Sequence, residues 1–240
     1  AALLAEHFAG PNRLTQLAAR FGSDKGAAYK GAASHHYTRV YRDLFETRML
    51  QPVKILEIGL CRGLYEGWKQ DDIPSLRMWL EFFPNASVYG VDISDFSWFS
   101  HERVRIFRAD QSSESSLREH VVAELDGVLL DVVLDDGSHA SWDQQVTFKQ
   151  LFPLVAPGGL YVIEDLDWQP PLPPEAVRTP TTKTVLEHFV TTGRLPSGAW
   201  SREEAEALAA QIESVRLFDS HSELVNRNAC GGLAVIRKKR

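Results

Sequence analysis

A chain of 240 residues with 44% apolar side chains can bury one large α/β core or two small ones. Its net charge of −6, with a basic run only at Arg237–Arg240, excludes nucleic acid as an expected partner. Cys61 and Cys230, without a CxxC pair, point to a reducing, cytoplasmic setting, and no run approaches the roughly 18 apolar residues of a membrane span.

The chain opens on "AALLAEHFAG", too short and too acidic for a signal peptide. Residues 1–50 read as helices. Gly22 stops one, and Tyr37, Val40, Tyr41, Leu44 and Phe45 form an apolar stripe along the next. Then "VKILEIG", "SVYGVDI", "VRIFRAD", "DVVLDD" and "LYVIED" read as strands buried on both faces. They alternate with the helical patterns "SLRMWLEFF", "SSLREHVVAEL" and "SWDQQVTFKQLFPLV". "DWQPPLPPEAVRTP" is too rich in proline for a regular element and reads as a loop. "SREEAEALAAQIE" opens with a capping box, Ser201 to Glu204, and "VRLFDS" and "GGLAVIRKK" close the chain as two more strands. The pattern predicts an α/β fold with a seven-stranded, mostly parallel sheet. Helices cover both of its faces, and only the last strand is antiparallel.

Ligands of open parallel sheets bind at the carboxyl ends of the strands. Here the five strands end in Glu57, Asp92, Asp110, Asp135-Asp136 and Glu164-Asp165. So many acids at one edge call for a cation or for hydrogen-bond donors. Gly59 and Gly63 in "EIGLCRG" permit a tight turn and close approach of a ligand, but they make no G-x-G-x-x-G. No helix starts at that turn, so a pyrophosphate is poorly served. A carboxylate at Asp92 suits the two hydroxyls of a ribose. Together these favour a nucleoside without phosphates, S-adenosylmethionine rather than NAD. Strands four and five are expected to be neighbours, which brings Asp136 to the Glu164-Asp165 pair. Hard oxygen donors of that kind suit Mg²⁺, Mn²⁺ or Ca²⁺ and not a thiol-loving metal. His139, at the start of the next helix, can take a proton from a hydroxyl. The alternatives are a turn cap or a metal ligand for His139, and for the acids a structural cluster paired with Arg or Lys.

"LEIG", "SLRMW", "YGVDIS", "RADQ", "LDDGSH", "FPLVAPGGLYVIED" and the early "GSDKG" with "HHYTRVY" resemble the metal-dependent sugar O-methyltransferases of macrolide biosynthesis. The resemblance covers most of residues 22–165. It implies a Rossmann-like class I methyltransferase, with Asp136, Glu164 and Asp165 holding the metal and His139 and Asp136 carrying the chemistry. It also implies cofactor contacts from Glu57, Gly59, Gly63, Asp92, Asp110, Gln111, Asp135 and Tyr37. Residues 1–50 would then cover the cofactor site of a single compact unit whose main domain is 51–240. Lys25, His35, His36 or Tyr37 would touch the cofactor carboxylate or the substrate. Macrolide enzymes of this kind carry a further N-terminal domain that helps organise a tetramer. The 240 residues here leave no room for it, and a homo-oligomer stays among the expected partners.

The expected reaction is methyl transfer from S-adenosylmethionine to a hydroxyl of a deoxysugar or vicinal diol on a secondary metabolite, as in antibiotic biosynthesis. The partner is thus a small-molecule acceptor, with no nucleic acid and no membrane. A catechol-type methyltransferase needs the same acids and is one alternative. A non-methylating relative that keeps S-adenosylmethionine for cyclisation or assembly is another. Trp68, Trp98 and Trp168 stand in loops near the same edge, where they would wall the acceptor pocket or cover the core.

Overall fold

A computed structural model describes residues 12–26, 35–60, 72–171, 179–218 and 232–240. Seven strands form one sheet: β1 (Lys54–Ile58), β2 (Ser87–Asp92), β3 (Val104–Arg108), β4 (Leu130–Asp135), β5 (Val155–Ile163), β6 (Ile212–Phe218) and β7 (Leu233–Lys238). Their order is β3-β2-β1-β4-β5-β7-β6. All neighbours pair in parallel except β7, which runs antiparallel to both β5 and β6. This is the expected sheet, and it matches the class I methyltransferase fold. The order reverses between β1 and β4, so their carboxyl ends flank the crevice where such sheets take ligands.

The helices are α1 (Arg13–Phe21), α2 (Thr38–Phe45), α3 (Pro74–Phe82), α4 (Glu114–Leu117, continued by a π-turn), α5 (Ser141–Leu151), α6 (Thr182–Thr192) and α7 (Arg202–Gln211). Gly22 ends α1 in the left-handed conformation, and Pro74 opens α3. The capping box of α7 is present, Ser201 Oγ accepting from Glu204 N and Glu204 returning the bond to Ser201 N. None of the described helices is long and apolar enough to cross a membrane.

Strand side chains alternate between two cores, as a period of two requires. Ile55, Val88, Val132, Leu134, Leu160 and Val162 face α1, α2 and α3. Leu56, Ile58, Val91, Val133, Tyr161 and Ile163 face α5, α6 and α7. On the first face, fully buried Trp79 of α3 packs its ring against Tyr41 and Phe45 of α2, at 5.7 and 6.0 Å. That aromatic contact seats α2 on α3 and brings its first turn to the carboxyl edge of the sheet.

Two elements depart from the sequence pattern. β5 starts at Val155, five residues before the expected Leu160, because "VAPGG" joins the ladder through a register shift against β4 between Leu130 and Val132. α6 fills a stretch where no helix was expected. Thr181 Oγ1 caps it and Gly193 ends it in the left-handed conformation.

Candidate active site

The strand period decides which way each terminal acid points. Glu57 shares parity with Ile55, Asp136 with Val132 and Leu134, and Glu164 with Leu160 and Val162. All three therefore look toward α1 and α2, and there they meet Lys25. Its ammonium ion-pairs with Asp136, lies 2.9 Å from Glu164 Oε2 and 3.3 Å from Glu57 Oε1. Lys25 is 1% exposed, so it is not free to meet a ligand carboxylate as the resemblance implied. The alternative reading of the acids, a cluster paired with a lysine, describes the contacts of these three. Tyr41 donates to Glu164 Oε1, and Trp79 Nε1 donates to Glu57 Oε2 at 3.2 Å.

Asp135 has the opposite parity and lies under the other face. Gln111 Nε2 donates to it at 2.7 Å and Tyr161 OH at 3.2 Å. It is 1% exposed and orients Gln111, whose Oε1 accepts from Ser138 N at 2.9 Å. Gln111 rests directly on Gly137, where an added Cβ would fall 2.0 Å from its Oε1.

Asp165 follows the strand with φ +51°, and that left-handed turn swings it toward Asp136 and His139. Tyr37 OH donates to Asp165 Oδ1 at 2.7 Å and accepts from Asp165 N at 3.1 Å. Tyr37 is buried and committed to that acid, so its place is behind the site. His35 Nδ1 lies 3.3 Å from the same carboxylate and stacks on Tyr37.

His139 also has a positive φ, +60°. Its Nε2 is 3.6 Å from Asp165 Oδ2, a charge contact too long for a hydrogen bond. Its buried Nδ1 has no hydrogen-bond partner among the described residues. Trp168 meets the imidazole edge-on at 5.4 Å. Gln169, not singled out in the sequence, holds the backbone beneath it. Its Nε2 donates to His139 O at 3.1 Å while its Oε1 accepts from Ser141 N at 3.0 Å, which satisfies a first-turn amide of α5.

Asp136, His139 and Asp165 each offer one donor atom, all within 4.8 Å of one another. The two carboxylates fit a divalent cation that takes oxygen donors, such as Mg²⁺ or Mn²⁺, and the imidazole stands beside them where it can take a proton. Glu164 lies beside them with its oxygens engaged by Lys25 and Tyr41.

Burial sets the electrostatics. It pushes Glu57 up to about 7 against the pull of Lys25, and Asp135 up to about 7 against its bonds from Gln111 and Tyr161. Burial and the charge of Asp136 raise Glu164 well above the carboxylate range. Burial acts the same way on Asp136, but Lys25 and His139 outweigh it and hold that carboxyl low. For Lys25 burial favours loss of the proton. The carboxylates of Asp136, Glu164 and Glu57 overcome that and keep the ammonium charged well above its ordinary range.

Around the crevice, Asp92 accepts from Leu60 N at 2.9 Å and from Ser94 N at 2.8 Å. It thus holds the glycine turn, and each oxygen keeps a lone pair for a further donor. Ile93, which follows it in the chain, and Trp98 are exposed. Asp110 accepts from Ser112 N and Oγ at 2.8 and 2.7 Å. The room that Gly59 leaves (φ +82°) is filled by protein, since a Cβ there would lie 2.1 Å from Asp136 O. Gly63, Cys61 and Trp68 lie outside the described residues, as do residues 172–178 of the proline-rich loop.

No family model matches the chain. It is 38% identical over 156 residues to 8-demethyl-8-(2-methoxy-alpha-L-rhamnosyl)-tetracenomycin-C 3'-O-methyltransferase of Streptomyces olivaceus, covering 65% of this chain and 37% of that one. It is 38% identical over 153 residues to mycinamicin VI 2''-O-methyltransferase of Micromonospora griseorubida, covering 64% of this chain and 36% of that one. The chain thus spans little more than a third of these curated relatives. Among solved structures, MycE methyltransferase in complex with Mg, SAH and mycinamycin VI superposes with a TM-score of 0.69 at 28% identity, over 96% of this chain and 55% of that one. Over the part it spans, the chain is similar in sequence and in fold to sugar O-methyltransferases of antibiotic biosynthesis.

Proposed function

We propose that the chain is an S-adenosylmethionine-dependent, divalent-metal-assisted O-methyltransferase acting on a sugar hydroxyl of a glycosylated natural product. The observation that carries this reading is the group of Asp136, His139 and Asp165, gathered at the carboxyl edge of a class I methyltransferase sheet. The sequence relatives named as sugar O-methyltransferases support it, as does the solved neighbour bound to Mg and SAH.

When bound, the cation would supply positive charge to acidify the acceptor hydroxyl, and S-adenosylmethionine a methyl on a sulfonium that leaves as a neutral thioether. Asp136 and Asp165, with Glu164 beside them, would hold the cation. His139 takes the hydroxyl proton on the nitrogen turned away from Asp165, because Gln169 and Trp168 fix its ring over the acids. Asp92 receives the ribose hydroxyls. Gln111, braced by Asp135, and Asp110 border the nucleoside beside the turn at Gly59. Glu57 and Tyr37 brace the site from below, one through Lys25 and the other through Asp165. Residues 1–50 act as its cover, contributing Lys25, His35, Tyr37 and Tyr41, over the domain formed by 51–240. The setting is cytoplasmic, in keeping with the two cysteines.

The test is incubation with S-adenosylmethionine, Mg²⁺ and a panel of rhamnosides, other deoxysugar glycosides and catechols, read by mass spectrometry. A glycoside heavier by one methylene, lost on chelation of the metal, supports the reading. Methylation of catechols alone favours the catechol type. Nucleoside binding with no product across the panel favours a non-methylating relative.

A further inference from the structure

The ammonium of Lys25 occupies an unusual place for a lysine. It is buried, its ammonium donates hydrogen bonds to Asp136 and Glu164, and it lies 3.3 Å from Glu57 Oε1, which has no hydrogen-bond partner among the described residues. Its backbone is fixed as firmly. Ser23 N closes on Ala18 O at 2.8 Å, Thr38 N donates to Lys25 O at 3.1 Å, and His35 N donates to Asp24 O at 3.1 Å. The side chain is thus delivered to the strand ends by a turn pinned to both α1 and α2.

Two of its three partners, Asp136 and Glu164, are the acids placed above at the metal site. A divalent cation at Asp136 and Asp165 would share Asp136 with the ammonium. In a dry pocket two cations on one carboxylate repel strongly. Yet three acids with no cation at all would be costly to bury.

We propose that Lys25 is a resident counter-ion that sets the affinity of the site for its divalent metal. It holds Glu57, Asp136 and Glu164 in place while no metal is bound, and it opposes metal entry through the carboxylates both cations need. This rests on the metal-assisted reading of the site.

The experiment is Mn²⁺ binding by electron paramagnetic resonance, with and without S-adenosylhomocysteine, on the wild-type chain and on Lys25→Met. Methionine keeps the length of the stem and removes the charge. The variant is expected to bind Mn²⁺ more tightly, by about tenfold or more. Its melting temperature without metal should fall, and Mn²⁺ should raise that temperature further than it does in the wild type. Should Lys25→Met fail to fold, the double variant Lys25→Met/Glu57→Gln, which removes the ammonium together with one of the acids it faces, is compared with Glu57→Gln alone. Equal or weaker Mn²⁺ binding in a folded variant lacking Lys25, beside a wild type that binds, overturns the counter-ion role and leaves the metal site standing. A wild type that binds no Mn²⁺ under either condition overturns both.

Discussion

Asp135 and Asp136 are consecutive in the chain yet bond on opposite faces of the sheet, Asp135 to Gln111 and Tyr161 and Asp136 to Lys25. The pleat gives the pair two different tasks. One carboxyl is sealed in the body of the protein and the other faces the crevice.

The sealed carboxyl makes stability depend on pH. In the folded chain Asp135 and Glu57 keep their protons up to about pH 7, because burial disfavours their charge. The unfolded chain releases them near roughly pH 4. Between those values the unfolded state binds fewer protons, so stability falls as pH rises and levels off above the folded value. Each group accounts for a loss of about 3 to 4 kcal/mol. Urea melts of metal-free protein from pH 4.5 to 8 should show this decline. Asp135→Asn should remove its share and be more stable than the wild type at pH 8.

Gly59 is fixed by a backbone contact. Alanine there would have to adopt φ +82° and place its Cβ 2.1 Å from Asp136 O, which the turn after β4 cannot yield without moving one of the proposed metal ligands. Gly59→Ala should cost about 3 kcal/mol or more and weaken metal binding. Gly22→Ala, with a similar φ but nothing within 4 Å, should cost only about 1 kcal/mol. Paired denaturant melts check the contrast.

Gln169 ties the segment after β5 to the proposed base. Gln169→Ala frees His139 O and leaves Ser141 N without its acceptor. Turnover should fall roughly tenfold to a hundredfold, as displacement of a reacting group does, while affinity for S-adenosylhomocysteine stays unchanged. Steady-state kinetics beside calorimetry separate the two effects.

Much of this was legible in the sequence, for physical reasons. The sheet followed from strands apolar on both faces, and the edge of the site from the acids that end them. The split of Asp135 from Asp136 was partly there too. A period of two assigns Glu57, Asp136 and Glu164 to one face. Asp165 escapes that rule because its positive φ turns it back. The contacts of Lys25 and Gln169 were not legible. They join positions 111 and 30 residues apart through packing that no local pattern encodes. Helix α6 was missed although Thr181 and Gly193 mark its ends, because the prolines before it dominated the reading.

The most direct measurement is calorimetric titration of S-adenosylhomocysteine, followed by Mg²⁺ in the presence of a deoxysugar glycoside, on the wild type and on Asp136→Asn. The account predicts nucleoside binding in both and Mg²⁺ binding in the wild type alone. Absence of nucleoside binding by the wild type, or Mg²⁺ binding that survives loss of the Asp136 charge, would contradict it.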